Sequence, residues 1–334
     1  MIYPWNQGVW EALQRAREQP QALLLTGPRG VGKSAFALAL AKAILCPAHA
    51  PGTLACDRCT SCRLFDAGTH PDYRLVEPIN GEAVEETADI SAAPKGSSRF
   101  ILISQIRELA GFVELSAHLA GHKVVIIQPA DKLHPSAGNA LLKTLEEPPR
   151  RTVFVLISDH PQRVSSTVRS RCFHLTFAVP EKQIALDWLH RAGIEEPEVR
   201  LAQAGYAPLA AAGMESGDYW RSRRVLLELL GRPDAPLADV ISKTPTDQVG
   251  PFLAHLYRWC YDLISARLTG HLRYNLDFVT ALSRGAANAD VFRLLDLMNE
   301  VVSALRSQEH PLNPRLVMEQ LTIRYRRSLT SETP

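Results

Sequence analysis

The sequence predicts an α/β domain with a parallel sheet, followed by all-helical units. Three observations support this fold class. Short apolar runs typical of buried strands alternate with helical patterns in the first half of the chain. A glycine-rich stretch, GPRGVGKS, joins the first of these runs to a helical pattern. After about residue 178 the strand-like runs stop, and helical periodicity dominates the rest of the chain.

The predicted strands are rich in β-branched residues and leucine, which suits strands that are covered by helices on both faces. They are ALLLT (22–26), YRLV (73–76), KVVIIQ (123–128) and TVFVLI (152–157). Residues 79–99 are poor in large apolar side chains and rich in Glu, Ala, Ser and Gly. Such a segment cannot bury enough surface to offset its ordering entropy, so a mobile surface loop is predicted there.

Length and composition indicate a globular protein of two or three domains, with 334 residues, 46% hydrophobic and 22% charged. The net charge of +2 gives no large positive field of the kind that favours nonspecific binding to nucleic acid. The N-terminal residues lack a basic leader and an apolar signal region, and no apolar run reaches the roughly 18 residues of a membrane span. We therefore expect a cytoplasmic protein without membrane contact.

The stretch GPRGVGKS follows a strand and opens a helix, as a phosphate-binding loop requires. Its glycines let backbone amides turn toward an anion, and the helix N-terminus adds a positive field. The lysine can reach the terminal phosphates, and the serine can hold Mg²⁺. The candidate nucleotide-binding residues are Gly27, Gly30, Gly32, Lys33 and Ser34.

The strand KVVIIQ lacks the acidic residues that hydrolysis of a nucleotide needs at its end. Gln128 and Pro129 occupy these positions, and neither can hold a metal ion or orient water. Asp131 lies nearby and better suits a turn, although it could assist a metal. ATP or ADP binding without hydrolysis is therefore predicted, and the case for bound Mg²⁺ is weak. The alternative is an active ATPase that uses Asp131 or another acid.

Four of the six cysteines lie close together in the sequence, at Cys46, Cys56, Cys59 and Cys62. Two-residue spacings let neighbouring thiolates reach the same ion, and four thiolates without an open position are typical of structural zinc. A zinc knuckle over residues 46–62 is therefore predicted. An iron–sulfur cluster and four free thiols are the alternatives.

Residues 136–151, SAGNALLKTLEEPPRR, predict a helix that a double proline ends. Glu146 and Glu147 lie at its C-terminus, where a carboxylate opposes the helix dipole by roughly 0.3–1 kcal/mol. This placement is typical of a functional or interface site. Neutralisation by Arg150 and Arg151 at an ordinary surface is the alternative.

The run NALLKTLEEPP, a following strand and then SRC at residues 170–172 closely resemble the clamp-loader ATPases of the AAA+ class. The cysteine knuckle and AGTHPDY at residues 67–73 narrow the resemblance to the clamp loader of bacterial DNA polymerase III. Over about the first 180 residues the resemblance rests on several specific motifs. In the helical remainder it rests only on the general arrangement of helices.

The resemblance implies three domains. These are an AAA+ nucleotide-binding-type domain (1–178), a small helical lid (179–214) and a helical collar (215–330) that joins four other subunits in a hetero-pentamer. It also implies partners: motor ATPase subunits, a clamp-opening delta-type subunit, the sliding clamp, and primed DNA within the assembly.

The same resemblance assigns Arg171, in SRC, as an arginine finger that reaches a neighbouring subunit's ATP. A surface arginine at a strand entrance is the alternative. Ser158 matches a polar sensor of the γ-phosphate, whereas Pro208 stands near the place of a lid arginine in motor subunits. These departures, with Gln128 and Pro129, predict a stator that does not hydrolyse ATP.

A zinc-dependent nucleic-acid-binding module is the remaining alternative. It would use Arg58 and Arg63 of the knuckle or the basic C-terminal helix, whose arginines are Arg315, Arg324, Arg326 and Arg327. For that helix, a solvated charged face beside a core stripe is the simpler interpretation. The predicted stripe is Leu316, Leu321 and Tyr325.

Overall fold

The computed structural model describes residues 2–15, 20–49, 53–79, 99–119, 121–214, 217–232, 249–306 and 313–329. The chain divides into two compact units, Met1–Glu181 and Lys182–Pro334. Of the loop predicted over 79–99, residues 80–98 lie outside the described part, so that prediction stays open.

The first unit is built from alternating strands and helices, after a 3-10 turn at Pro4–Asn6. Its strands are β1 Ala22–Thr26, β2 Tyr73–Val76, β3 Lys123–Ile127, β4 Thr152–Ser158 and β5 Phe173–Thr176. Its helices are α1 Gln7–Gln14, α2 Lys33–Leu45, α3 Thr60–Asp66, α4 Ile103–Glu114, α5 Pro135–Glu146 and α6 Ser166–Arg169.

The five strands form one sheet in the order β2-β3-β4-β1-β5, and all neighbouring strands are parallel. Every residue of β1, β3 and β4 is buried, because the three central strands have neighbours on both sides and cover on both faces. This burial accounts for the long apolar runs that predicted them. The α/β class of the first half and the four predicted strands are confirmed, with end shifts of one residue in β3 and β4.

Helices α4 and α5 close one face of this sheet through apolar stripes at helical spacing. Ile106, Leu109 and Val113 are buried on α4, and Leu141 and Leu145 are buried on α5. The stripes pack in one core with the side chains of the central strands. Helix α5 begins at a proline, which fits the first turn, and ends at Glu146 before the double proline.

The second unit is helical throughout its described residues. Its helices are α7 Lys182–Arg191, α8 Pro197–Gln203, α9 Pro208–Ala212, α10 Gly217–Leu230, α11 Val249–Thr269, α12 Val279–Asn288, α13 Val291–Arg306 and α14 Pro314–Leu329. One apolar cluster joins α7, α8 and α9, and a larger one joins α10 to α14. The expected all-helical second half is confirmed.

A buried polar network fixes the loop between α11 and α12. The Asp262 carboxylate accepts the backbone N–H groups of Arg273, Tyr274 and Asn275 at 2.7–3.1 Å. Asn275 Oδ1 in turn accepts from Gln203 Nε2 of α8 and from Arg223 Nη2 of α10, both at 3.0 Å. The network therefore ties α8, α10, α11 and this loop together.

The C-terminal helix α14 corrects one prediction. Leu321 and Tyr325 are buried as expected, but Leu316 is 60% exposed. The buried stripe instead runs through Met318, Leu321, Tyr325 and Leu329, which leaves Leu316 on another face because 316 does not fit that spacing. Among the described residues, no helix has both the length and the apolar composition that crossing a membrane requires.

Candidate functional site

The glycine-rich loop connects β1 to α2 and turns sharply at Gly27 and Gly32. Their φ angles, 146° and 94°, lie in the region that glycine adopts easily. A Cβ at Gly27 would lie 2.1 Å from the Phe177 carbonyl oxygen. A Cβ at Gly32 would lie 2.8 Å from Cδ2 of Tyr3. Glycine is therefore required at both positions by conformation and by space.

Lys33, the first residue of α2, is bonded by groups of its own chain. Its Nζ donates to the carbonyl oxygens of Gly27 and Pro28, both at 2.7 Å. The same Nζ forms an ion pair with Asp159 Oδ1 at 2.6 Å. The Lys33 side chain is 3% exposed, against 35% for Asp159. An ammonium group has three donors, so each of them has an acceptor within the chain.

The N-terminal segment packs directly on the same loop. Trp5 Nε1 and Asn6 Nδ2 donate to the Val31 carbonyl oxygen at 2.9 and 2.8 Å. The rings of Tyr3 and Trp5 stack with centroids 4.9 Å apart, and the Tyr3 ring lies against Gly32. The phosphate loop is thus held by the protein's own side chains on its Val31–Gly32 side.

The ends of β3 and β4 carry two acidic residues. The Ser158 hydroxyl donates to Asp131 Oδ1 at 2.7 Å and accepts the His160 N–H at 3.0 Å. Asp131 lies in a 3-10 turn over Ala130–Lys132, which fits its predicted role in a turn. Asp159 was missed by sequence reasoning, which sought acids after β3 and not after β4. Its position immediately after the predicted sensor, Ser158, was the available signal.

The four cysteines of the knuckle come together as predicted. The Sγ atoms of Cys46, Cys56, Cys59 and Cys62 all lie within 4.8 Å of one another, and those of Cys46 and Cys59 are 4.0 Å apart. Tetrahedral zinc with Zn–S bonds near 2.3 Å needs sulfur atoms about 3.8 Å apart, so the set fits a zinc ion after small shifts. The cluster joins the end of α2 to the start of α3.

Local electrostatics act in opposite directions on two of these thiols. The backbone N–H groups of Arg58 and Cys59 lower the pKa of the Cys56 thiol to about 6. Burial raises the pKa of the Cys62 thiol to about 12. A divalent cation at the centre of the cluster would offset this burial penalty, because it stabilises thiolates directly.

Lys42 of α2 forms ion pairs with two acidic residues in and next to the knuckle. Its Nζ forms ion pairs with the carboxylates of Asp57 and Asp66, the latter at 2.8 Å. Burial opposes the charged form, but these two carboxylates raise the pKa of Lys42 above its usual range. The knuckle is thereby attached to the last turn of α2.

The AGTHPDY motif builds a buried chain of hydrogen bonds behind the knuckle. The Asp72 N–H donates to His70 Nδ1 at 3.0 Å, so Nε2 carries the proton and faces the Ser61 hydroxyl at 2.8 Å. Ser61 donates to the Leu45 carbonyl oxygen at 2.6 Å. Burial lowers the pKa of His70, consistent with a neutral ring. The chain links β2, α3 and the end of α2.

Arg171 lies between α6 and β5, at the surface of the first unit. Its Nη1 donates to the Thr167 carbonyl oxygen at 2.9 Å, and its Nη2 forms an ion pair with Glu146. The Arg171 side chain is 33% exposed and that of Glu146 is 48% exposed. The sequence did not predict this partner of Glu146, which is brought close because α6 packs against α5. The alternative, neutralisation of Glu146 and Glu147 by Arg150 and Arg151, stays open.

A parallel sheet with a glycine-rich loop between a central strand and a helix, followed by a helical unit, is the architecture expected of the AAA+ class. Residues 6–181 match the family described as DNA polymerase III, delta subunit. The chain is 35% identical over 309 residues to DNA polymerase III subunit delta' of Pseudomonas aeruginosa, covering 90% of this chain and 85% of that protein. It therefore belongs to the DNA polymerase III subunit delta' family.

Two further similarities concern a relative and a solved structure. The chain is 36% identical over 235 residues to DNA polymerase III subunit delta' of Escherichia coli, covering 68% of this chain and 65% of that protein. A DNA polymerase III gamma subunit-related protein of Thermotoga maritima superposes with a TM-score of 0.45 at 18% identity, over 96% of this chain and 99% of that one.

Proposed function

We propose that this chain is a non-hydrolysing stator of the bacterial replicative clamp loader, and that it donates Arg171 to the ATP site of a neighbouring motor subunit. Family membership supports a role in DNA replication within a clamp loader of DNA polymerase III. The observation that carries the stator role is the contrast between two cations. Lys33 is buried and bonded to two carbonyl oxygens of its own loop and to Asp159, whereas Arg171 is partly exposed and bonded to one carbonyl oxygen and one carboxylate.

The proposed partners follow from this role. They are the motor ATPase subunits, a clamp-opening delta-type subunit, the sliding clamp, and primed DNA inside a cytoplasmic hetero-pentamer. We assign residues 1–178 to the AAA+ domain, 179–214 to the lid and 215–330 to the collar that joins the other subunits. The two separate apolar clusters of the helical unit support a division between lid and collar.

For the phosphate loop, we propose that any ATP or ADP binds as a structural ligand. Gly27, Gly30, Gly32, Lys33 and Ser34 would hold the phosphates once Asp159 releases Lys33. Gln128 and Pro129 support the absence of hydrolysis, because neither side chain can bind a catalytic metal or orient water. An active motor would need Asp131 or Asp159 as its acid, and these residues are engaged by Ser158 and Lys33.

For the cysteine cluster, we propose a structural zinc ion held by Cys46, Cys56, Cys59 and Cys62. A bound zinc ion would crosslink the end of α2 to α3 and stabilise the folded knuckle. Elemental analysis of the purified chain should find one zinc ion and no iron per chain. The variant Cys59→Ser should contain no zinc. Iron in the purified chain would contradict this assignment, and so would the absence of any metal from the chain of natural sequence.

The stator role is tested by measuring ATP turnover of the isolated chain and of the reconstituted loader. We expect no hydrolysis above background by the isolated chain, and a fall of tenfold or more when the loader contains Arg171→Ala. Arg150→Ala removes a nearby exposed arginine and serves as the matched control. Hydrolysis by the isolated chain that Lys33→Met abolishes would support the active motor instead.

A further inference from the structure

Glu146 is the last residue of α5, in a position that helix electrostatics disfavour. A carboxylate at a helix C-terminus faces the negative end of the helix dipole, which destabilises the helix. No requirement of the α5 core explains it, because the buried residues of this helix lie elsewhere, at Leu141 and Leu145 among others. The ion pair with Arg171 supplies a specific use for the charge.

Glu146 occupies Nη2 of Arg171, the end of the guanidinium group that would have to bind a phosphate. Arg171 Nη1 is anchored on the Thr167 carbonyl oxygen at 2.9 Å and lies 3.4 Å from the Ser170 hydroxyl. The Nη2 atom is left to Glu146. A carboxylate and a phosphate present similar oxygen pairs to the planar fork of arginine, so they compete for the same donors.

The ion pair between Arg171 and Glu146 is weak enough for a phosphate to replace the carboxylate. The Arg171 side chain is about one third exposed and that of Glu146 about one half, and ion pairs at such surfaces are weak because water screens them. A triphosphate carries more negative charge than a carboxylate and can displace it. By contrast, the buried Lys33 is bonded to two carbonyl oxygens as well as to Asp159.

We infer that Glu146 is a positioning residue that holds Arg171 in the free subunit and competes with the neighbouring subunit's nucleotide phosphate for the guanidinium. This inference rests on the proposed role of Arg171. Glu146 contacts neither nucleotide nor reacting atoms in this scheme. It sets the nucleotide concentration at which Arg171 transfers from a carboxylate of its own chain to a phosphate of the neighbour.

The test is steady-state ATP hydrolysis by the reconstituted loader containing Glu146→Gln, which removes the charge and keeps the shape. We expect the ATP concentration for half-maximal turnover to fall about two- to fivefold, the size of a lost surface ion pair, and the maximal rate to stay within about twofold. Glu147→Gln removes the same charge at the adjacent exposed position and should change neither quantity.

Combination with Arg171→Ala separates the two claims. If Arg171→Ala lowers turnover and abolishes the effect of Glu146→Gln, both are supported. If Arg171→Ala lowers turnover but Glu146→Gln leaves half-saturation unchanged or raised, the Glu146 inference is overturned and the function of Arg171 stands. If Arg171→Ala changes nothing, both are overturned.

A second readout does not depend on activity. In the free chain, the ¹⁵N signals of the Arg171 guanidinium should show restricted rotation that Glu146→Gln releases and Glu147→Gln leaves intact. Equally mobile signals in the natural sequence and in Glu146→Gln would contradict the holding contact, whatever the turnover assays show.

Discussion

Lys33 and Arg171 are the two cations of the first unit for which we propose a role toward phosphate, and their surroundings differ. Lys33 is buried under its own loop and bonded to Gly27, Pro28 and Asp159. Arg171 lies at the surface, where its Nη2 pairs with the exposed carboxylate of Glu146. In the proposed stator, burial and internal partners keep Lys33 from a nucleotide and leave Arg171 available to one, so an intact phosphate-loop sequence does not by itself predict catalysis.

The largest expected effect on stability is a pH dependence caused by His255. It tests whether burial controls which groups of this protein are charged, as the contrast between Lys33 and Arg171 requires. His255 on α11 is buried, and no hydrogen-bond partner for its Nδ1 is found among the described residues. Burial first, and then the charges of Arg258 and Arg223, lower the pKa of His255 to about 3. The unfolded chain binds a proton near pH 6.5 and the folded chain does not, so acid favours unfolding between these values.

Between pH 6.5 and pH 4.5, His255 should therefore remove about 2.3 kcal/mol from the free energy of unfolding, with a slope that approaches about 1.4 kcal/mol per pH unit as the unfolded histidine becomes fully protonated. Hydrogen exchange of the α11 amides, followed by mass spectrometry, measures this loss. In His255→Leu, the fall in the free energy of unfolding between pH 6.5 and pH 4.5 should be smaller by that amount. In His271→Gln, a substitution at an exposed position, the fall should be unchanged. An unchanged slope in His255→Leu would show that burial does not hold the ring neutral.

A smaller effect is expected at the phosphate loop. Asp159→Asn should lower the free energy of unfolding by about 1–2 kcal/mol, because Lys33 loses a charged partner while keeping two carbonyl oxygens. The same variant should bind ATP about tenfold more tightly than the natural sequence, since no carboxylate then competes for Lys33. Isothermal titration measures the affinity, and Asp131→Asn, which contacts Ser158, is the matched control. Unchanged ATP affinity in Asp159→Asn would remove the idea that Asp159 takes the place of phosphate.

The smallest effect belongs to Arg171. Because its ion pair is exposed, Arg171→Ala should change the free energy of unfolding by less than about 1 kcal/mol. Chemical denaturation of the isolated chain checks this, with Arg150→Ala beside it. A loss of 3 kcal/mol or more would mean that Arg171 is a structural residue of the first unit, and the contrast with Lys33 would disappear.

The sequence predicted those parts of the fold that depend on local pattern. The central strands were identified because their residues are apolar on both faces, and the cysteine cluster because its ligands are close in sequence. Strand β5 was missed, because at this edge of the sheet Leu175 is its buried residue and the pattern is too short to stand out.

The contacts that decide the chemistry could not be predicted in the same way. Asp159 reaches Lys33, and Glu146 reaches Arg171, across long stretches of sequence. Such pairs depend on strand order and on the angle between helices, which a single sequence does not reveal. The unusual placement of Glu146 at a helix C-terminus predicted that the residue was special, but not which arginine it would hold.

The most direct measurement compares Lys33→Met and Arg171→Ala in otherwise identical reconstituted loaders. We predict that loaders with Lys33→Met hydrolyse ATP within about twofold of the natural rate, whereas loaders with Arg171→Ala lose tenfold or more. The reverse pattern, in which Lys33→Met stops hydrolysis and Arg171→Ala does not, would contradict the account.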